Sequence, residues 1–161
     1  MNTNIIAFYG HSPMHPHCFL SQFFTSPFVE DDEIFSCAEH YIMYKKALLF
    51  GDYETSQMIL KAKNAATAKS LGRSVKDFDP VIWDKYKEKY VFNGNLLKFS
   101  QCTILRDVLT SNNKYLVEAT PNDLVWGNGL TVEETLKRPI GDWPGQNLLG
   151  QALMKVRDVL R

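Results

Sequence analysis

The chain has 161 residues and a mass of 18.5 kDa, within the range of one domain and too short for two of ordinary size. Hydrophobic residues at 45% and charged residues at 22% describe a globular protein that needs neither disulfides nor a structural metal to fold. Lys+Arg and Asp+Glu both number 18, and this zero net charge excludes a broad cationic surface for coating nucleic acid while leaving room for a local basic pocket.

Three cysteines, Cys18, Cys37 and Cys102, are odd in number and widely spaced, unlike a secreted disulfide framework. No apolar run reaches the length of a membrane span. The first residues, Met-Asn-Thr-Asn-Ile-Ile, lack the basic start and apolar core of a signal peptide. The expectation is a soluble, cytoplasmic protein with one domain over residues 1–161 and no membrane contact.

The first 35 residues sustain no helical period. Phe8-Tyr9-Gly10 and Phe23-Phe24 lie among turn formers, and Phe28-Val29 and Ile34-Phe35 read as short extended pieces around the acidic turn Glu30-Asp31-Asp32-Glu33. From Ser36 the pattern turns helical. Ser36 with Glu39 three residues later fits a capping box, and the helix behind it carries Tyr41, Tyr44 and Leu48 and stops at Gly51. A second helix is expected over Glu54–Lys63, and a third over Ala65–Leu71, capped by Asn64 and closed by Gly72. Asp79-Pro80 is a helix start, with Trp83, Tyr86 and Tyr90 running towards Leu97. Cys102 to Leu109 again shows helical spacing, and Tyr115 to Ala119 reads as a strand. Thr131-Val132-Glu133-Glu134 opens a short helix ended by Pro139, and Leu149, Ala152, Leu153, Val156 and Leu160 form the stripe of a closing helix. The fold class expected is mainly α, one multihelical domain with a small β element.

His11, His15, His17 and Cys18 include good metal ligands, but they lie among prolines with no matching second pair, and a solvated loop is the better reading. Cys37 near a helix start could have its thiol pKa lowered by the helix dipole, but no Cys-His-Asn arrangement is readable and a small buried cysteine is the better reading. Spacing leaves two readings of Glu39 open. It either caps the helix through the Ser36 N–H, or it shares one helix face with Met43 and Lys46 and places a carboxylate and an amine in one pocket. The loop Thr120-Pro121-Asn122-Asp123-Leu124-Val125-Trp126-Gly127-Asn128-Gly129 combines a charge, a stacking face and glycines that admit close backbone approach, which suits a ligand clamp. Gly141 to Asn147 repeats that chemistry. Lys61, Lys63, Lys69 and Arg73 flank Gly72 as a solvated face or a phosphate contact, with Arg73 the best placed of them.

Together these pieces resemble the NADAR, or YbiA-like, family. The matching runs are Phe19-Leu20-Ser21-Gln22-Phe23, Ser36-Cys37-Ala38-Glu39-His40-Tyr41 with Lys46, Leu71-Gly72-Arg73, Trp83, Lys98-Phe99, Leu116-Val117-Glu118, Asn122 to Gly129, Asn147-Leu148-Leu149-Gly150 and Leu153-Met154. Gln22 stands where the family usually has Asn, and Met43 and Tyr44 where it often has glutamines. The resemblance implies a mainly helical fold and hydrolysis of an N-glycosidic bond at C1 of a ribose bearing a 5-phosphate or diphosphate, without metal or cofactor. It implies Glu39, Asp123 and Lys46 as catalytic residues, and Trp126, Arg73, Ser21, Phe23, Gly127 and Asn147 as substrate contacts.

The implied substrate is an ADP-ribose or ribose-phosphate compound. ADP-ribosylated guanine is the first expectation, extending to ADP-ribosylated DNA or RNA, because no riboflavin-pathway deaminase is fused to this sequence. Phosphoribosylamino-pyrimidine intermediates of riboflavin synthesis are the alternative substrate, and a non-catalytic ADP-ribose reader is the alternative class.

Overall fold

A computed structural model describes residues 1–161 as seven α-helices and four short strands, the mainly helical chain with a small β element that the sequence predicts. It divides into two compact units, Gln22–Cys102 and a second built from Met1–Ser21 with Thr103–Arg161. No helix is long and apolar enough to cross a membrane.

The first unit opens with an antiparallel hairpin, β2 (Phe28–Glu30) and β3 (Glu33–Phe35). Asp31 and Asp32 take the tight turn at φ 51° and 68°, a left-handed conformation that short polar side chains tolerate best after glycine. Phe28 and Phe35 face inward against Tyr41, with ring centroids 5.1 to 5.8 Å apart. Glu30 anchors the hairpin by accepting from the Tyr41 hydroxyl at 3.1 Å and pairing with Lys45 at 2.7 Å.

Helix α1 (Ala38–Leu49) packs on α2 (Tyr53–Leu60), α3 (Ala65–Arg73) and α4 (Pro80–Ser100). The predicted caps hold where a side chain reaches a free N–H: Asn64 accepts from Thr67 and Asp79 from Val81. Asp52 caps α2 through Thr55 and also accepts from the Lys76 N–H, tying the start of α2 to the end of α3. Helix α2 therefore begins at Tyr53 and stops at Leu60, short of the expected Lys63. Ala47, Ile59, Ala68 and Val75 form a small core under these helices, covered by Met43, Tyr44 and Leu71.

Two predicted boundaries differ for physical reasons. Cys37, not Ser36, is the N-cap of α1, and no side-chain bond caps that helix, because the Glu39 N–H is already taken by the Gln22 carbonyl at 3.0 Å. Gly72 does not close α3 but lies inside it. A Cβ there would come within 2.0 Å of the Met43 sulfur, so the missing side chain is what lets α1 and α3 approach.

In the second unit β1 (Ile5–Phe8) pairs in parallel with β4 (Tyr115–Glu118), in register Ile5 with Tyr115 and Phe8 with Glu118. Helix α6 (Val132–Leu136) lies on β1 and carries the full capping box between Thr131 and Glu134. Helix α7 (Leu148–Leu160) lies on β4, and α5 (Thr103–Thr110) on α7. The closest contact is at Gly150, where a Cβ would stand 2.1 Å from the Leu116 carbonyl oxygen. Gly150→Ala is therefore expected to destabilise the protein by about 2 kcal/mol or more, since backbone cannot yield as a side chain would. A urea midpoint equal to that of the wild type would contradict this.

Candidate active site

Glu39 is the second residue of α1, so its backbone N–H lies outside the helical ladder and needs a partner. The Gln22 carbonyl supplies it. Gln22 is in turn fixed by a reciprocal pair of amide bonds with Asn95 on α4, at 2.9 and 3.0 Å, and Asn95 is fully buried with a further bond to the Val91 carbonyl. The Glu39 carboxylate takes no capping bond and forms no ion pair. The open choice between cap and pocket residue is thus decided against the cap.

Burial raises the Glu39 pKa to about 7, and the positive charges of Lys69, Lys46 and Arg73, in that order, hold it from going higher. Lys46 stands two turns along the same helix. Burial pulls its amine below the ordinary lysine range, an effect that Glu39 opposes and Arg73 adds to. Its Nζ lies 4.5 Å from the Phe78 ring centre and 5.6 Å from that of Trp83, so aromatic faces take the place of water around the amine. Lys69 and Arg73 are four residues apart on α3 and share a face, both exposed. The Lys69 Nζ sits 5.7 Å over the Phe23 ring. Phe23, Glu39, Lys46 and Arg73 therefore belong to one neighbourhood within the first unit. Lys69, read from the sequence only as one of four candidate phosphate contacts, joins it, as do Phe78 and Trp83, for which no site role was read. The spacing of Lys69 and Arg73 was the one usable signal in the sequence.

Ser21, Asp123, Trp126, Gly127 and Asn147 lie in the second unit. Ser21 ends a 3-10 turn, with its N–H on the Cys18 carbonyl. Asp123 Oδ1 accepts from the N–H groups of both Val125 and Trp126 at 2.9 Å, which fixes the loop that presents the Trp126 ring. Gly127 is buried with the Asp123 and Glu118 carbonyls 3.0 and 3.1 Å from where a Cβ would be. Asn147, in the left-handed region at φ 53°, accepts from the Glu118 N–H and donates to the Leu116 carbonyl, both at 3.0 Å. Its own N–H reaches the Gly127 carbonyl, so one side chain and one backbone group bind loop, strand and α7 together.

The other candidates separate from this chemistry. Burial is the main influence on the Cys37 thiol and raises its pKa, the reverse of the helix-start expectation. It contacts His40 Nδ1 at 3.0 Å, while His40 Nε2 meets the Ala62 carbonyl at 3.0 Å, so both are buried structural groups. His15 packs edge-on to Tyr9 and His17 to Phe19, and no three His, Cys, Asp or Glu side chains are placed to hold a metal ion.

Fold and site together define a mainly helical protein with a carboxylate poised for proton exchange beside a partly desolvated amine and two exposed cations. The NADAR domain matches residues 7–161, and the chain belongs to that family. An N-glycosidase of Acanthamoeba polyphaga mimivirus is 47% identical over 122 residues, covering 75% of this chain and 72% of the viral protein. N-glycosidase YbiA of Escherichia coli is 29% identical across 99% of this chain and 91% of its own length. The NMR structure of the E. coli protein YbiA superposes with a TM-score of 0.79 at 29% identity, over 99% of this chain and 86% of that one. A riboflavin biosynthesis protein of Vibrio vulnificus is 28% identical over 95% of this chain, which spans 38% of that protein.

The Glu39 pKa has a consequence for stability. A folded value of about 7 against an ordinary 4.5 means that folding favours the protonated form; this contribution is complete below about 4.5 and lost as pH rises through 7. Glu39→Gln, which removes the ionisation, should gain thermal stability relative to the wild type at pH 8 and lose that advantage at pH 4.5. A difference in Tm that stays constant across this range would contradict the burial argument.

Proposed function

We propose that this protein is an N-glycosidase that hydrolyses the ribose C1–N bond of ADP-ribosylated guanine. The observation that carries the reading is the Glu39 carboxylate, half-buried, with its pKa raised to about 7 and Lys46, Lys69 and Arg73 around it. Cleaving a C1–N bond develops positive charge on the sugar, and a carboxylate beside C1 stabilises that charge. The same group takes a proton from the attacking water and passes it on to the departing base, so that water's two parts end on C1 and on the base; an acid with a pKa near neutrality exchanges protons efficiently in both directions. Exposed Lys69 and Arg73 offer two cations on one helix face for the phosphates of the substrate. The names of the mimivirus and E. coli relatives support the reaction class.

A second route passes through Lys46. Its lowered pKa increases the neutral amine available to attack C1: the C1–N bond to the base breaks, the ring opens to an imine on Nζ, and water then releases the sugar. A second substrate is favoured by the Vibrio relative, whose name ties this fold to riboflavin biosynthesis, and would be a phosphoribosylamino-pyrimidine. For the second unit, Trp126 is proposed as a stacking face and Asp123 as an acceptor for ribose hydroxyls. Asp123 Oδ2 has that capacity while Oδ1 holds the loop.

Offering both substrates and identifying the released base by mass tests the assignment; release from the pyrimidine substrate alone would replace it with the second. Glu39→Gln should cost about 100-fold or more in kcat while the fold is retained, and near wild-type turnover would remove Glu39 from the chemistry. Borohydride added during turnover should label Lys46 if the imine route operates, and an unlabelled Lys46 excludes it.

Asp123 permits a separate test, because its loop role and its charge come apart. Asp123→Asn keeps the oxygen that accepts from Val125 and Trp126, whereas Asp123→Ala removes it. With the charge contributing to turnover, Asn should lose activity with Tm preserved, and Ala should lose both. Full activity in Asn would leave Asp123 only its loop role.

A further inference from the structure

The parallel pairing of β1 and β4 sets their two ends apart. At the C-terminal ends, Phe8 and Glu118, the Asp123–Gly129 loop docks, with the Asn128 N–H on the Glu118 carbonyl. At the N-terminal ends, beside Asn4 and Lys114, there is a cleft of about 390 Å³. Its lining combines polar Asn4, Asn112, Lys114 and Arg157 with the larger, mainly apolar side chains of Tyr115, Ile140 and Met154. None of the residues assigned to catalysis above takes part in it.

Arg157 is the unusual member. It projects from α7 with only 6% of its surface exposed, a state that arginine rarely adopts without a carboxylate partner. No ion pair is formed. Its Nη1 donates to the Lys114 carbonyl at 2.7 Å and weakly to Asn112 Oδ1 at 3.4 Å; Nε is sealed from solvent with no partner, and Nη2 makes no bond within the protein. Burial first, and then repulsion from Arg161, holds the Arg157 pKa below its ordinary value, with Asp158 pulling the other way.

Arg161 itself donates from Nη2 to the Asn112 carbonyl and lies 4.0 Å from Asp158, so the local carboxylate already has a cation beside it. Lys114 is exposed and forms no ion pair, and its charge adds to burial in lowering the pKa of His17. Holding two acceptors on the 112–114 loop requires donors but not charge. A buried guanidinium with one uncommitted nitrogen, Nη2, next to an unpaired lysine and two amides, has the composition of an anion site.

We propose that this cleft is a second ligand site that takes a small phosphomonoester with a flat or apolar body. Lys114, the Nη2 of Arg157 and the Asn4 and Asn112 amides meet the phosphate oxygens, and the body lies against Tyr115 and Met154. Tyr115 is backed by Trp143, whose ring centre is 6.2 Å away, so that wall is firm. The volume is at the small end of ligand sites, which suits a molecule of mononucleotide size.

The test is amide-resolved NMR of the full chain, titrated in separate arms with AMP, inorganic phosphate and adenosine. AMP should move the signals of residues 112–115 and 154–157 to saturation, phosphate more weakly, and adenosine not at all. Any binding of AMP at Glu39 would be read from other signals. Lys114→Gln should weaken the AMP response at these residues about fivefold, the effect of one partly screened charge, and leave kcat/KM for the N-glycoside unchanged. Arg157→Lys, which keeps the charge but loses the planar fork, should weaken it as well. The site is overturned if AMP moves none of these signals up to about 10 mM, or if Lys114→Gln leaves the affinity as it was. It is equally overturned if adenosine acts as AMP does. Phosphate binding as tightly as AMP would overturn the part assigned to Tyr115 and Met154.

Discussion

The constraint on which the first unit depends is the burial of one carboxylate that no hydrogen bond consumes. A glutamate at the start of a helix would ordinarily fold back on the free N–H groups there, and a buried one would ordinarily be neutralised by an ion pair. Glu39 does neither. The Gln22 carbonyl occupies its N–H, which removes the reason to cap, and the Gln22–Asn95 amide pair makes that carbonyl immovable. Three cations then act on the carboxylate without contacting it, enough to restrain its pKa and too little to make it a permanent anion.

The surrounding helices serve that arrangement. Gly72 lets Met43 press α1 onto α3, which brings the face bearing Lys69 and Arg73 towards α1, and Gly94 admits the Tyr41 ring between α1 and α4. Each glycine replaces a side chain that would hold two helices apart. The effect on Lys46 is reciprocal to that on Glu39. Each is shifted towards its uncharged form by loss of water, and each partly restores the other's charge. A carboxylic acid that titrates at about 7 and an amine whose pKa is pulled below the ordinary lysine range are the outcome, and they lie two turns apart on one helix.

The parts legible in the sequence were the local ones. Asn64, Asp79, Thr131 and Gly51 marked helix ends correctly because a cap or a left-handed glycine depends on a few neighbouring residues. What failed depended on distant chain. Ser36 and Glu39 fit the capping pattern, yet Gln22 had already taken the N–H that the pattern needs. Gly72 resembled a helix end because nothing near it in sequence reveals that Met43 lies on top of it. Strand β1 was not located because its partner, β4, is more than a hundred residues away. That Glu39, Lys46 and Arg73 lie close together was legible through a helix face and a family motif. Lys69 was named only as one of four possible phosphate contacts and ranked below Arg73, because its position beside Glu39 comes from packing between helices.

The run from Asp123 to Gly129, the most conspicuous motif in the chain, carries a different lesson. Much of its conserved-looking chemistry holds backbone: Asp123 Oδ1 binds two N–H groups, Gly127 admits two carbonyls, and Asn147 bridges the loop, β4 and α7. Under the function proposed above, the groups that meet a ligand are the ones those bonds aim, the Trp126 ring and the second oxygen of Asp123. A motif of this kind is specific because one polar side chain must satisfy several backbone groups at fixed spacing, and few sequences do so. Its strength as a family signature therefore comes from the geometry it imposes on the loop at least as much as from the reaction.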